Sequence, residues 1–177
     1  MAKIGLVMVE HFDRSVSLPQ EFIDEIVSHA IEDEPNECCG VILRATDGSL
    51  KLLRATNAEA SPYRFSIPPG ELLHLYRAVE EGAMQWYVVY HSHVMTEARP
   101  SPTDVNFSQL LQSQDPWPYW LLVSLATNPP SVRIWHMRDG GASELDLSVQ
   151  QLSPGSTRVR LETTGNSRKP IVTEVQL

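Results

Sequence analysis

The chain has 177 residues, 42% of them hydrophobic, so it can bury one substantial core and is most simply a single main domain. Its 22 acidic and 14 basic side chains give a net charge of -8, which repels phosphate backbones and argues against nucleic acid as the main partner. The first apolar run, residues 4–9, is too short for a secretory signal or a membrane span. The adjacent Cys38 and Cys39 have poor disulfide geometry, so we expect reduced thiols in a cytoplasmic protein. Because the first apolar run is short, we expect no membrane partner.

The amino-terminal part of the chain predicts a strand followed by a helix. Residues 4–9 are expected to form the strand and residues 11–17 a polar break. Pro19 stands where a helix would begin, and six apolar side chains then recur at helical spacing. We therefore predict a helix from Pro19 to about Glu34, ended by Pro35.

The next part of the chain predicts a hairpin and a second helix. Residues 39–44 indicate a buried strand, residues 46–49 its turn and residues 50–56 the returning strand. After a loop, residues 63–67 predict a short strand. The two prolines and the glycine that follow it favour a helix start, and the apolar spacing predicts a helix over residues 68–82.

A nearly continuous apolar run, residues 84–90, predicts a central strand that is covered on both sides. This strand leads directly into His91. A third, shorter helix is predicted from Thr103 to about Gln112. Three further strands are expected at residues 119–125, 132–137 and 143–149.

The composition changes at residue 150, after which aromatic side chains are absent and Ser, Thr and Gly are frequent. We therefore predict a main domain over residues 1–149 and a C-terminal extension over residues 150–177. Residues 158–162 alternate and residues 171–177 favour a strand, which indicates a peripheral hairpin or a strand that pairs with another chain. A disordered extension is the third alternative, and the oligomeric state stays open.

The strongest chemical signal is a pair of histidines at the end of the central strand. Side chains at positions i and i+2 of a strand point to the same face, so His91 and His93 should converge on one point. A catalytic zinc site has three protein ligands and one open position, and the carboxylate of Asp104 is the candidate for the third ligand. The sequence therefore predicts one Zn2+ per chain.

Two further residues are candidates for the chemistry around this metal. Glu37 precedes a predicted strand and is the candidate base for the zinc-activated water, while the Ser101 hydroxyl is a candidate donor to a developing oxyanion. Each residue alone has a structural alternative. Ser101 and Asp104 with Pro102 between them also fit a helix cap, the histidines fit a polar strand end, and Glu37 fits a solvated loop.

Together these residues form the pattern H-x-H-x7-S-x2-D with an upstream glutamate, and in this the chain resembles the JAMM (MPN+) metalloproteases. The resemblance covers about residues 17–147. It implies an α/β MPN domain whose mixed, curved sheet is flanked by helices, with the layering of cytidine deaminases. It also implies the roles one by one: zinc ligands at His91, His93 and Asp104, the general acid/base at Glu37 and the oxyanion stabiliser at Ser101.

Residues 56–59, 61–63 and 96–98 resemble the compact bacterial members that act on ubiquitin-like sulfur carriers. This implies hydrolysis of the amide bond after the C-terminal Gly-Gly of such a carrier, with release of cysteine or another small adduct. An isopeptidase acting on protein conjugates is the alternative activity. A non-catalytic MPN scaffold and a DNA-associated RadC-like protein are further alternatives, which the complete ligand set and the acidic charge respectively disfavour.

Overall fold

A computed structural model describes residues 14–111, 117–151, 155–162 and 171–175, with the backbone alone described for residues 158–162 and 171–175. The strand predicted at residues 4–9 lies outside the described residues. In chain order the elements are β1 (Ser15–Pro19), α1 (Gln20–Asp33), β2 (Cys39–Ala45), β3 (Leu50–Ala55), α2 (Pro69–Glu81), β4 (Met84–His93), α3 (Pro102–Ser108), β5 (Tyr119–Ser124), β6 (Ser131–Arg138), β7 (Gly141–Gln150), β8 (Thr157–Glu162) and β9 (Ile171–Val175). A 3-10 turn, Gln109–Leu111, follows α3.

The three predicted helices and the strands from residue 39 to residue 149 are confirmed, with one exception. Residues 63–67 do not form a strand. The backbone of this segment bonds to a side chain instead, because Ser66 N–H donates to Oδ1 of Asn57 and the Arg64 carbonyl accepts from Nδ2 of Asn57. The Asn57 side chain thus takes the place of the neighbouring strand to which a strand at residues 63–67 would bond.

The polar break predicted at residues 11–17 is also wrong in its second half, because Ser15 onward forms β1. This strand pairs in parallel with β7, a partner about 130 residues away along the chain. Val16 and Leu18 alternate with serines and are buried in the core. The period-two pattern was present, but it was too short to indicate a strand without knowledge of the partner.

Among the described residues the strands form one mixed sheet in the order β1-β7-β6-β5-β4-β2-β3-β8-β9. The central strand β4 pairs antiparallel with β2 and in parallel with β5. In this register His91 lies between Cys39 of β2 and Leu122 of β5. The end of β4 is therefore held on both sides by backbone hydrogen bonds.

Helices cover both faces of this sheet. Phe22 and Ile26 of α1 belong to a core on one face, together with Val88 of β4. Leu75 of α2 belongs to a second core on the other face, together with Val89 of β4. Because β4 contributes to both cores, its apolar run has almost no polar interruption before His91.

The described C-terminal strands pair with each other and with the main sheet. β8 pairs in parallel with β3 and antiparallel with β9, and Leu50 N–H donates to Oγ of Ser156 at 2.9 Å. The domain boundary at residue 149 stays a prediction. Within the described part of the chain, no helix has the length and apolar character needed to cross a membrane.

Gly40 is required by a close approach inside the sheet. It lies opposite Tyr90 in the β2–β4 pair, and a Cβ atom here would lie 2.4 Å from the Tyr90 ring and 2.4 Å from the Leu53 carbonyl oxygen. The Tyr90 hydroxyl lies 2.9 Å from Nδ1 of His29 on α1. Because Gly40 has no side chain, the Tyr90 ring can occupy this position in the core.

We predict that Gly40→Ala lowers the free energy of unfolding by about 3 kcal/mol, because both contacts are too short and one of them is to backbone. Gly70→Ala is the matched control, since a Cβ there meets nothing within 4 Å. The control should raise the free energy of unfolding by up to about 1 kcal/mol, because alanine favours a helix over glycine. Chemical denaturation measures both changes, and a similar effect of the two substitutions would contradict the packing argument.

Candidate active site

The last residues of β4 bring two imidazole rings together, as the sequence predicts. His91 is fully buried and His93 is 6% exposed. Their Nε2 atoms lie 3.2 Å apart. Both side chains project toward the α2 and α3 side of the sheet, because positions 91 and 93 share a face with Val89.

Asp104 reaches the same point from the first turn of α3. Its Oδ1 lies 3.2 Å from Nε2 of His91, and its Oδ2 lies 3.4 Å from Nε2 of His93. The helix cap expected from the sequence is confirmed as well: Ser101 N–H donates to Oδ2 of Asp104 at 2.7 Å, and Asp104 N–H donates to Oγ of Ser101 at 3.2 Å. The cap and the approach to the histidines are therefore compatible functions of one carboxylate.

These three side chains can hold a metal ion. One ligand atom from each of His91, His93 and Asp104 lies within 4.8 Å of the others. Tetrahedral ligands about 2.0–2.1 Å from a zinc ion lie roughly 3.3 Å from one another. The 3.2 Å between the two imidazole nitrogens matches that separation, and each nitrogen also lies at 3.2 or 3.4 Å from one of the two Asp104 oxygens.

The loop after β4 fixes the orientation of the second imidazole. Nδ1 of His93 donates to the Glu97 carbonyl at 2.8 Å, which leaves Nε2 of His93 to face Asp104 and His91. The loop itself is anchored to neighbouring strands. Ser124 Oγ donates to the Thr96 carbonyl at 2.5 Å, and Nε1 of Trp135 donates to the Ala98 carbonyl at 3.0 Å.

The charges in this group stabilise one another. Burial alone would raise the pKa of Asp104, but the imidazoles of His91 and His93 and the hydrogen bond with Ser101 hold it well below its ordinary range. Burial lowers the pKa of His91, whereas the bonds to Asp104 and to the Glu97 carbonyl raise the pKa of His93 despite its burial. The carboxylate is thus ionised, as a metal ligand must be.

Glu37 lies in the same region and is 5% exposed, so it is not the solvated loop charge that was its structural alternative. Burial raises the pKa of its carboxyl to about 7, against a lowering effect of His93, and Asp104 raises it further. The charges of both His93 and Asp104 act on the Glu37 carboxyl, so Glu37 lies within electrostatic range of this group of side chains. A carboxyl that titrates near pH 7 is suited to both accepting and returning a proton.

The backbone around Glu37 is fixed by hydrogen bonds on both sides. Glu37 N–H donates to the Ser61 carbonyl at 2.9 Å, and its own carbonyl accepts from Nδ2 of Asn57 at 2.9 Å. The next residue, Cys38, is bound twice by Ser92: Cys38 N–H donates to Ser92 Oγ at 2.8 Å, and Ser92 N–H donates to the Cys38 carbonyl at 3.1 Å. The residue after Glu37 is therefore bonded directly to the strand that carries both histidines.

Sequence reasoning missed Ser92 and Asn57 as supports of the site. Ser92 is fully buried on the face of β4 opposite to the histidines, and a hydroxyl within an otherwise apolar strand was the available signal. Asn57 lies in a loop whose residue types predict only a turn. Among the described residues, only its bond to the Glu37 carbonyl joins it to a different part of the chain, and no local pattern could have revealed that bond.

Comparisons with known proteins agree with this geometry. The family described as prokaryotic homologs of the JAB domain matches residues 19–138, which include all five candidate residues. A CysO-cysteine peptidase of Mycobacterium tuberculosis (strain ATCC 25618 / H37Rv) is 34% identical over 134 residues, which cover 73% of this chain and 87% of that protein. A desampylase of Pyrococcus furiosus is 26% identical over 108 residues, which cover 60% of this chain and 72% of that protein.

A solved structure shows the same fold. The solution structure of a protein from Desulfitobacterium hafniense is 26% identical in sequence and has a TM-score of 0.63. The match covers 78% of this chain and 94% of that chain. Together with the family match and the mixed sheet between helices, it confirms the predicted α/β MPN fold class.

The raised pKa of Glu37 predicts a pH-dependent gain in stability for Glu37→Gln in the metal-free protein. Since the folded-state pKa is about 7 and the ordinary value is 4.5, ionisation of Glu37 opposes folding. The resulting decrease in the free energy of unfolding grows as pH rises from 4.5 to 7. Glutamine does not ionise. We expect it to raise the free energy of unfolding by about 1–2 kcal/mol at pH 8, after allowance for solvent screening, and to have little effect at pH 4.5.

Urea denaturation at several pH values, with a chelator present, measures this effect. Glu81→Gln is the control, because Glu81 is exposed at the end of α2. If Glu37→Gln raised the free energy of unfolding equally at all pH values, ionisation of Glu37 would not be the cause of the change.

Proposed function

Because the chain belongs to the prokaryotic homologs of the JAB domain and is a peptidase, we propose that it hydrolyses a ubiquitin-like carrier adduct with one zinc ion per chain. His91, His93 and Asp104 would hold the ion. The observation that carries the proposal is the convergence of one ligand atom from each residue to within 4.8 Å of the others. Two imidazoles and one carboxylate are a donor set that zinc prefers, and three ligands leave one position open for catalysis.

The residues around this group supply the remaining functions of a hydrolase. Bound zinc supplies Lewis-acid activation of water and of the scissile carbonyl. Glu37 accepts the proton of the attacking water and transfers it to the leaving amine, for which its pKa near 7 is suitable. Its backbone hydrogen bonds to Ser61 and Asn57 hold the base in place through both transfers.

Ser101 is suited to stabilise the oxyanion. Its Oγ accepts from Asp104 N–H at 3.2 Å, which leaves the hydroxyl hydrogen to donate toward a carbonyl oxygen. As the N-cap of α3, Ser101 also lies at the positive end of the helix. A single donor of this kind contributes about 3 kcal/mol to stabilisation of the transition state.

The proposed substrate is a small ubiquitin-like sulfur carrier with a C-terminal Gly-Gly, from which the protein releases cysteine or another small adduct. The name of the relative that is 34% identical, CysO-cysteine peptidase, supports this choice. A Gly-Gly tail is thin enough to lie extended beside a metal and to pair with a strand edge through its main chain. The cytoplasmic location expected from the sequence remains part of the proposal.

We predict that the zinc-loaded protein removes one residue from a carrier that bears cysteine after its C-terminal Gly-Gly. Intact-mass spectrometry of the carrier measures this loss directly, and a chelator should abolish it. An unchanged carrier mass would contradict the proposal. Hydrolysis of a carrier–protein conjugate alone would favour the alternative isopeptidase activity instead.

Two substitutions separate the base from the metal ligands in this assay. Glu37→Gln should retain zinc but lose hydrolysis by two to four orders of magnitude, the usual contribution of a general base. His93→Ala should lose zinc and hydrolysis together, since two ligands remain. If Glu37→Gln hydrolysed the adduct at the unmodified rate, Glu37 would not be the base.

A further inference from the structure

The two imidazoles of the site are supported in different ways. His93 donates from Nδ1 to the Glu97 carbonyl, as metal-binding histidines usually do. Nδ1 of His91 is buried and has no hydrogen-bond partner among the described residues. The orientation of the His91 ring therefore requires another cause.

A contact with Phe65 can fix the orientation of the His91 ring. Its ring stacks on the His91 imidazole, with centroids 4.6 Å apart and planes 26° from parallel. The edge of the same imidazole faces Trp120 at 6.4 Å, with planes 77° apart. Phe107 contacts both neighbours, at 5.3 Å from Phe65 and 5.9 Å from Trp120. Rotation of the His91 ring would break the stacking and collide with this aromatic enclosure.

Phe65 is held in position by Asn57. Nδ2 of Asn57 donates to the carbonyls of Glu37 and Arg64, and Oδ1 accepts from the N–H groups of Glu59 and Ser66. These four bonds use the whole hydrogen-bonding capacity of the amide. Two of them fix the residues on either side of Phe65, and a third fixes the backbone of Glu37.

We infer that Phe65 is a positioning residue that orients His91 for metal binding in place of a hydrogen bond, and that Asn57 holds Phe65 in this position. The inference rests on the proposed function, since it takes His91 as a metal ligand. It gives the loop between β3 and α2 a function in the site. The Asn57 side chain thus couples the orientation of a metal ligand, His91, to that of the base Glu37.

The test is zinc affinity, measured by competition with a chromophoric chelator. Phe65→Leu should weaken zinc binding about tenfold, the lower end of the effect of losing a residue that supports a metal ligand. Phe65→Tyr keeps the stacked ring and should bind zinc as the unmodified protein does. Tyr63→Leu is the control, because Tyr63 lies in the same loop but is 76% exposed.

Cobalt substitution provides a second readout. The visible absorption of bound Co2+ reports ligand geometry, so Phe65→Leu should change the spectrum while Tyr63→Leu and Phe65→Tyr leave it unchanged. Thermal unfolding of the metal-free variants distinguishes loss of the fold from loss of orientation. If Phe65→Leu did not fold, Phe65→Met, which retains volume without a stacked ring, would take its place.

The contribution of Asn57 is tested by a double-mutant cycle. Asn57→Ala should weaken zinc binding in the unmodified background but cause no further loss when Phe65 is already leucine, because both substitutions remove the same support. At saturating zinc, Asn57→Ala should lower the hydrolysis rate in both backgrounds, since the Glu37 carbonyl loses its partner.

Unchanged zinc affinity and an unchanged cobalt spectrum in Phe65→Leu would overturn the inference, even if the protein hydrolysed its substrate. Additive losses of zinc affinity in the cycle would overturn the assignment of Asn57. Failure of the unmodified protein to bind zinc would overturn the proposed function, and this inference with it. Zinc binding without hydrolysis of the carrier adduct, combined with the predicted loss in Phe65→Leu, would support the inference while contradicting the substrate.

Discussion

The common burial of four ionisable side chains is the constraint on which the rest of the site depends. Glu37, His91, His93 and Asp104 are between 0% and 7% exposed. Removing such groups from water is unfavourable unless they find partners of complementary charge. Two imidazoles offset the burial of Asp104, which stays ionised, whereas burial raises the pKa of Glu37 against a lowering effect of His93. A single arrangement thus keeps one carboxylate ionised and gives the other a pKa near neutrality.

Such an arrangement persists only where the surrounding structure is stable enough to impose it. β4 provides this stability, because it is paired on both sides and contributes to both cores. The two hydrogen bonds between Ser92 and Cys38 extend the pairing of β2 and β4 by one residue, up to the residue next to Glu37. Loop segments complete the site, but strand and helix ends position its ionisable groups, as precise catalytic geometry requires.

The sequence predicts the convergence of His91, His93 and Asp104 because the geometry behind it is local. His91 and His93 converge through the period of a strand, and the helix cap that Ser101 forms with Asp104 places the Asp104 carboxylate beside them. Features that depend on contacts outside their own segment of the chain could not be predicted in this way. β1 depends on β7, Gly40 on the ring of Tyr90, and the loop around Phe65 on the amide of Asn57. The candidate roles of Glu37 and Ser101 rest on resemblance to a family as well as on their positions in the sequence.

The most direct test of this account is anomalous diffraction at the zinc edge from crystals of the zinc-loaded protein. The account predicts one ion per chain, bound by Nε2 of both histidines and by the Asp104 carboxylate at about 2.0–2.2 Å, with Glu37 facing the open position. An ion at another place in the fold, or one bound directly by the Glu37 carboxylate, would contradict it.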